Sequence, residues 1–366
     1  MSEARRPRAY AKIGGKLTPL LGYSVENNTN FQADTFSATL DAWQQPDGFG
    51  MQYWASAGQT NLEVMLGFLK PGQAETERPA KLVSLILAQV DDAVCNATAG
   101  TVSLTGRDLT ALLIDAKTTT TWPDQTASQI VTKLAAQVGL TTQVTTTKTP
   151  VGRYSKSAYA AVGREIPLWD LVSTYAQQEG FDAYVSGTTL YFGPSQAAAD
   201  TKPFVISCVR DQAKRSITAN VETLELRRSL TLAGDMTVTV IGHSLRTGHA
   251  VKEVASRQGV KTVKSSSTKT QAAQNYVIRR PNLTAQQALQ LAEKTLDDLT
   301  RHERTFDATM AEDGTLTTKR KVRITGTGTD FDQDYFLDKI SRSFGDGQCE
   351  ITFSGKNHPV ETELAS

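Results

Sequence analysis

The 366-residue chain is poor in the residue types that carry most enzyme chemistry. It has three cysteines, Cys95, Cys208 and Cys349, each more than 100 residues from the next. Such an odd and scattered set holds no CxxC pair for a metal or a redox disulfide, so all three read as small core or strand residues. The four histidines, His243, His249, His302 and His358, show no HExxH or other close ligand spacing, and no Asp-x-Asp-x-Asp-Gly loop offers calcium a site. No metal or other cofactor is expected. Charge of one sign is also missing: 39 Lys and Arg stand against 38 Asp and Glu, a net of +1. The chain therefore has no global field for nucleic acid or anionic lipid, and any such contact has to come from a local patch. The longest apolar stretch, Leu82 to Ala88, is far below the roughly 20 residues of a membrane helix. The opening Met-Ser-Glu-Ala-Arg-Arg-Pro-Arg lacks the apolar core of a signal peptide. Assembly in a cytoplasm, with no stable membrane association, is the expectation.

What the chain does have is 39% hydrophobic residues, enough to give two or three domains a core each and to exclude disorder as the main state. Phe31 to Asp41 alternates, with Phe36, Ala38 and Leu40 on one face, and predicts a strand. Further strand-like pieces at Asn61 to Leu69, Leu82 to Val94 and Thr101 to Gly106 are separated by turn signals and tied to no strong helix pattern. Residues 1–117 thus read as a first β-barrel or small sandwich. Thr126-Ala-Ser-Gln129 then forms a capping box, and Ile130, Leu134 and Val138 recur at helical spacing up to Gly139. A second helix opens at Pro167, taken as its first helical residue, carries Leu168, Leu171, Val172 and Tyr175 on one face, and stops at Gly180. Phe181 to Val185 and Thr189 to Phe192 flank Ser186-Gly187-Thr188 as a hairpin, which makes residues 118–199 an inserted α/β helix-helix-hairpin domain.

From residue 200 to 366 the strand signal returns, at Pro203 to Val209, Ile217 to Arg227 and Met236 to Ile241, and predicts a second β-barrel domain. A basic arm at about 244–280 interrupts it, with eight cations against Glu253 alone, a net of +7. Its low-complexity centre reads as a mobile arm or long loop, either solvated or laid on a neighbouring subunit, an acidic partner or passing nucleic acid. With Tyr276 as its one aromatic, stacking on bases is not supported. A helix at about 284–303 follows, capped by Thr284 with Gln287 and carrying Ala288, Leu291, Ala292, Thr295 and Leu299 along one face. Phe306 to Met310, Lys321 to Thr325, Tyr335 to Phe344 and Cys349 to Phe353 complete the strands, the last two joined across Gly345-Asp-Gly347. The expected class is mainly β (α+β): two tube-like β-barrel domains, the inserted α/β domain and the basic insertion in the second barrel.

Catalytic readings find little to stand on. Gly242-His-Ser244-Leu-Arg246 resembles a nucleophile elbow, but Arg246 sits where the tight strand-to-helix turn leaves no room for a side chain. Gly326-Thr-Gly328 lacks the third glycine of a dinucleotide cradle and reads as a turn. Glu303, Asp307 and Glu312 supply carboxylates that at a helix end and in a turn are expected to be solvated. No enzyme activity is expected. The alternative is a monomeric multi-domain hydrolase or glycan-binding protein that uses the β domains as carbohydrate platforms.

Three stretches carry a resemblance. Val102-Ser-Leu-Thr-Gly-Arg-Asp108 with Leu109 to Asp115 is one; Trp169 to Gly180 with Phe181 to Phe192 is the second. The third runs from the helix at Ala285 to Lys321 through Gly326 and on to Asp334 through Phe344. In order and spacing these resemble the tail hub proteins of contractile-tailed phages, the late-control D family, which are similar to the N-terminal hub part of type VI secretion spike proteins. The resemblance implies a homotrimer, a pseudo-sixfold ring that joins the hexameric tail tube to the trimeric spike and encloses a channel. Its implied partners are the spike protein, the tail tube protein, the tape-measure protein and baseplate wedge proteins, with DNA only in transit. Its implied location is the virion baseplate, after assembly in the cytoplasm of the bacterial host. Interface or lumen candidates are Arg246, Lys252, Arg257, Lys261 and Lys264 of the arm, with Arg5, Arg6 and Arg8 at the N-terminus.

Overall fold

In the computed structural model of the chain, alternation of apolar and polar residues becomes strand almost wherever it occurs. The residues described are 6–29, 31–43, 48–74, 76–120, 122, 124–148, 165–194, 202–211, 213, 215–229, 236–243, 250–257, 274–280, 285–300, 303–312 and 314–357. The fold is mainly β, in two compact units. The first takes Met1–Lys202, Thr309–Arg320 and Asp338–Phe353, and the second Pro203–Ala308, Lys321–Leu337 and Ser354–Ser366.

The first unit begins with strands β1 (Arg6–Ile13), β2 (Lys16–Pro19), β3 (Gly22–Asn28) and β4 (Thr35–Asp41), helix α1 (Met51–Ser56), then β5 (Asn61–Leu69), β6 (Leu82–Asn96) and β7 (Thr101–Asp108). All pair antiparallel, in the order β3-β4-β7-β6-β5-β1-β2. One face is buried: Val25, Phe36, Ala38, Leu40, Leu62, Val64, Leu66, Ala88, Val102 and Leu104 form its core. No pairing among the described strands closes this sheet on itself, which corrects the expectation of a barrel. The strand expected from Phe31 begins later, at Thr35, because Phe31 takes a left-handed turn conformation (φ 54°) and the Asp34 carboxylate gathers the preceding turn. Helix α1 is too short to show a helical period in the sequence.

The same unit continues with α2 (Thr110–Asp115), β8 (Lys117–Thr118), α3 (Ala127–Gln137), β9 (Thr141–Val144), β10 (Ile166–Pro167), α4 (Leu168–Glu179), β11 (Asp182–Ser186) and β12 (Thr189–Gly193). The Thr126 capping box is present. Gly180 ends α4 in the left-handed conformation. Pro167 is the N-cap, with an extended ψ of 139°, and not the first helical residue. Leu113, Ile130, Val131, Leu134, Leu168, Val172, Leu190 and Phe192 make the core. Strand β9 adds in parallel to β12, a pairing with no local signal in the sequence.

The second unit contains β13 (Phe204–Asp211), β14 (Ser216–Ala219), β15 (Thr223–Arg228), β16 (Met236–His243), β17 (Ala250–Arg257), β18 (Gln274–Arg279), α5 (Ala285–Thr300), β19 (Arg304–Ala311, to Ala308), β20 (Lys321–Thr325), and parts of β21 (Asp334–Gly345) and β22 (Gln348–Asn357). The expected strand from Ile217 to Arg227 is broken at Asn220, whose side chain accepts from Ser207 N at 2.9 Å and donates to Val205 O at 2.9 Å, so β14 and β15 separate. The region read as a mobile arm or long loop is in part ordered, a correction: β17 and β18 flank β16, antiparallel and parallel respectively. Helix α5 covers one face of that sheet, where Val238, Val240, Ala255, Ala288 and Ala292 are buried together. The residues of its proposed cap, 281–284, lie outside the described residues. Gly326 and Gly328 form a turn around the Asp332 carboxylate, which accepts from Thr327 N and Gly328 N at 3.0 Å each. In the C-terminal hairpin β21 and β22 turn at Asp346 and Gly347, both at positive φ, as expected.

Gly106, inside β7, is held by contact and not by turn geometry. A Cβ there would lie 2.0 Å from Gln89 O on β6 and 2.8 Å from the Phe36 ring. Overpacking against backbone that cannot move aside is expected to make Gly106→Ala less stable by about 1–3 kcal/mol, read as a lowered urea midpoint with an unchanged m-value.

Candidate functional site

Charged side chains enter the first unit where strand ends meet. Asn27 is next to last in β3, Asp34 precedes β4, Asp108 closes β7, and Arg342 lies on the inward face of β21 between Ile340 and Phe344. Asp34 accepts from Asn28 N at 2.7 Å and from Asn27 Nδ2 at 2.8 Å. Asp108 accepts from Thr110 N at 3.1 Å and Thr110 Oγ1 at 3.0 Å, while its own N–H donates to Asp34 O at 2.9 Å. The Arg342 guanidinium donates to Asn27 Oδ1 and Leu316 O and pairs with the Glu312 carboxylate at 2.8 Å. The Glu312–Arg342 ion pair thus continues through Asn27 to Asp34 by charge-assisted hydrogen bonds. The expectation that Glu312 and Glu303 are solvated is overturned. They are 1% and 2% exposed, and Glu303 pairs with Arg228 at 3.2 Å in the second unit.

Around this chain opens a cavity of about 750 Å³, lined by Asn27, Asp34, Asp108, Lys319, Arg342 and Tyr184 among others. Lys319 Nζ sits 3.4 Å from the centroid of the Tyr184 ring, itself stacked on Tyr191 at 4.8 Å. Burial pushes Asp108 up to about 8, reinforced by the nearby Asp34 charge. Burial also raises Asp34, against its hydrogen bonds from Asn27 and Asn28. Lys319 is lowered by burial, opposed by Asp34, Asp182 and Asp108. Among the described residues no group of three or more His, Cys, Asp or Glu has the geometry to hold a metal ion. The arrangement supplies donors, acceptors and aromatic faces suited to holding a polar guest. Of the residues singled out in the sequence, Asp108, Glu312 and, from the hairpin stretch, Tyr184 and Tyr191 contribute here, whereas Arg107 is tied to Asp91 at 2.7 Å and Asp115 at 3.1 Å.

The interface candidates are placed elsewhere. Arg6 and Arg8 lie on β1, where Arg6 Nη2 donates to Gln73 O at 2.6 Å and Lys70 O at 3.2 Å and so ties down the turn after β5. Lys252 and Arg257 lie on β17. Lys252 is exposed and shares the face turned away from α5 with Val254, Val277 and Arg279. Arg5, Arg246, Lys261 and Lys264 lie outside the described residues, as does Ser244. No helix among the described residues is long and apolar enough to cross a membrane.

Nearly the full length of the chain has counterparts in known structures. It is similar to the tail protein from Neisseria meningitidis MC58, with a TM-score of 0.67 and 17% identity over 96% of this chain and 97% of that one. It is similar to the 43 kDa tail protein of prophage MuSo2 from Shewanella oneidensis, with a TM-score of 0.60 and 15% identity over 95% and 97%. The fold is therefore that of phage tail proteins. It is shared, at a TM-score of 0.50 and 10% identity over 95% of this chain and 79% of the other, by the E. coli c3393 protein, a component of the type VI secretion system with structural similarity to the T4 tail proteins gp27 and gp5. No protein-family model matches the chain, and no curated protein sequence does.

Two outcomes test the buried network. Arg342→Met is expected to cost about 3–5 kcal/mol by leaving a buried carboxylate without its cation, and Glu312→Leu combined with it recovers much of that loss in a urea-denaturation double-mutant cycle. Asp108 binds its proton more tightly folded than unfolded, so its contribution is fully present below its unfolded value near 3.8 and is lost as pH rises through about 8. Asp34 acts in the same sense and Lys319 in the opposite one, because its folded value is depressed. Asp108→Asn should therefore flatten the fall in urea midpoint between pH 4 and pH 8.

Proposed function

We propose that the chain is a structural hub of a contractile phage tail, of the late-control D type, and not an enzyme. The observation that carries this reading is the end-to-end likeness to two phage tail proteins, in which nearly the full length of each chain is matched. In this reading three copies form a pseudo-sixfold ring with two tube-like β units from each subunit, matching a hexameric tail tube on one side and a trimeric spike on the other. The ring encloses a channel that holds the tape-measure protein and later passes DNA. Baseplate wedge proteins surround it in the virion, and assembly takes place in the host cytoplasm. Exposed strand edges support subunit pairing: all four residues of β14 are exposed, Ile217 at 63%. The cations Arg5, Arg6, Arg8, Arg246, Lys252, Arg257, Lys261 and Lys264 are proposed to meet neighbouring subunits or line the lumen.

Light scattering of the purified protein tests the reading. A species of three times 39.7 kDa, alone or on addition of the cognate spike protein, is the expected outcome. A monomer at every concentration, with or without spike and tube proteins, would sink it.

A further inference from the structure

A lysine, Lys319, stands in the wall of the 750 Å³ cavity, and the fold holds it there from both sides. Before it, Leu316 is buried and its carbonyl oxygen accepts from Arg342. After it, Arg320 N donates to Thr317 O at 3.1 Å, which closes a turn, and Arg320 Nε donates to Lys202 O at 3.0 Å. Half-buried Lys319 thereby places Nζ 3.4 Å from the centroid of the Tyr184 ring. Tyr184 is steadied in turn by its stack on Tyr191 across the β11 and β12 pair. An ammonium carries three N–H donors. Among the described residues Lys319 Nζ has no acceptor within hydrogen-bond reach and no carboxylate close enough for an ion pair.

We infer that Lys319 is a carbonyl-reactive amine, and that the cavity takes a small uncharged aldehyde held as an imine on Nζ. A guest that merely paired with the ammonium would be an anion, and Asp34, Asp108 and Glu63 line the same cavity and repel one. An uncharged guest meets instead Asn28, Gln32, Gln143, Ser186 and Thr189, whose amides and hydroxyls suit hydroxyl groups, so hydroxyaldehydes are the favoured class. The protonated imine keeps the positive charge over the Tyr184 ring and near the carboxylates. It carries one N–H where the ammonium has three without acceptors. Burial lowers Lys319, against the charges of Asp34, Asp182 and Asp108, and so leaves more free amine near neutrality than an ordinary lysine has. The atoms balance without a further reactant. The Nζ lone pair forms the N–C bond while the C=O π pair moves to oxygen. Both amine protons leave with that oxygen as water, and the nitrogen takes one proton back from solvent. Lys319 and Tyr184 both belong to the first unit, and the site is independent of the ring proposed above.

Reductive trapping of the full chain with limiting glycolaldehyde and cyanoborohydride, mapped lysine by lysine by peptide mass, tests the inference. At about pH 7 Lys319 is expected to be labelled about tenfold or more faster than exposed Lys81 and Lys117, since each unit of lowering multiplies the free-amine fraction about tenfold. That lead should shrink at about pH 10, where ordinary lysines also hold much free amine. Lys319→Arg keeps a charge over the ring and removes the reactive amine, so uptake at limiting reagent should fall while Lys81 and Lys117 are labelled as before. With glyoxylate, an anionic aldehyde, the ratio of Lys319 to Lys81 labelling should drop several-fold. Labelling of Lys319 no faster than of Lys81 and Lys117 at neutral pH would overturn the reactive amine. An equal ratio for glycolaldehyde and glyoxylate would overturn the uncharged guest.

Discussion

A guanidinium inside a β core is the constraint on which much of the first unit depends. Arg342 is 5% exposed on the inward face of β21, and its charge is tolerable only with partners on every side. Those partners come from two places far apart in the chain: the segment holding Glu312 and Leu316 O, and Asn27. Satisfying one side chain thus fixes the C-terminal hairpin strand beside β3 and holds the segment after β19 against the same sheet. From Asn27 the network passes to Asp34, which shapes the turn into β4. The geometry of the cavity follows from this chain of bonds more than from the apolar core beneath it.

Within the cavity the balance of burial and charge is unequal. Two carboxylates that share one site are both pushed towards the neutral form, while the single lysine near them is pushed the same way by its own burial. Such a site costs stability. The apolar cores that the surrounding strands and helices bury offset that cost. That division of labour, apolar cores for stability and strand ends for chemistry and contact, suits a protein whose proposed work is assembly.

Much of the fold was legible residue by residue. The Thr126 capping box, the stop at Gly180, the hairpin around Gly187 and the turn at Asp346-Gly347 rest on local φ/ψ and hydrogen-bond chemistry, and each is where the sequence places it. For Arg342 the sequence does carry a signal, since the alternation of Ile340, Arg342 and Phe344 assigns it to the buried face. The basic stretch 244–280 misled because composition dominated its reading. Ala250–Arg257 is a strand whose buried face rests largely on Ala255 and Val251, too little to show as periodicity. Glu303 and Glu312 misled for a related reason: their burial is set by Arg228 and Arg342, which no local window contains.

By itself the sequence determined the mainly β class, most strand positions, the two amphipathic helices of the inserted region and the absence of any familiar catalytic pattern. These follow from periodicity and turn chemistry, which act over a few residues. Only the tertiary structure decided that no pairing among the described strands closes the first sheet, that β9 adds in parallel to β12 and that β6 over residues 82–87 pairs with β5 and takes a hydrogen bond from the Asn27 side chain at Leu85 O. Pairing partners and buried ion pairs join residues such as Asn27 and Arg342, separated by 315 positions. Their proximity is settled by the packing of whole strands, and nothing in the neighbourhood of either residue encodes it.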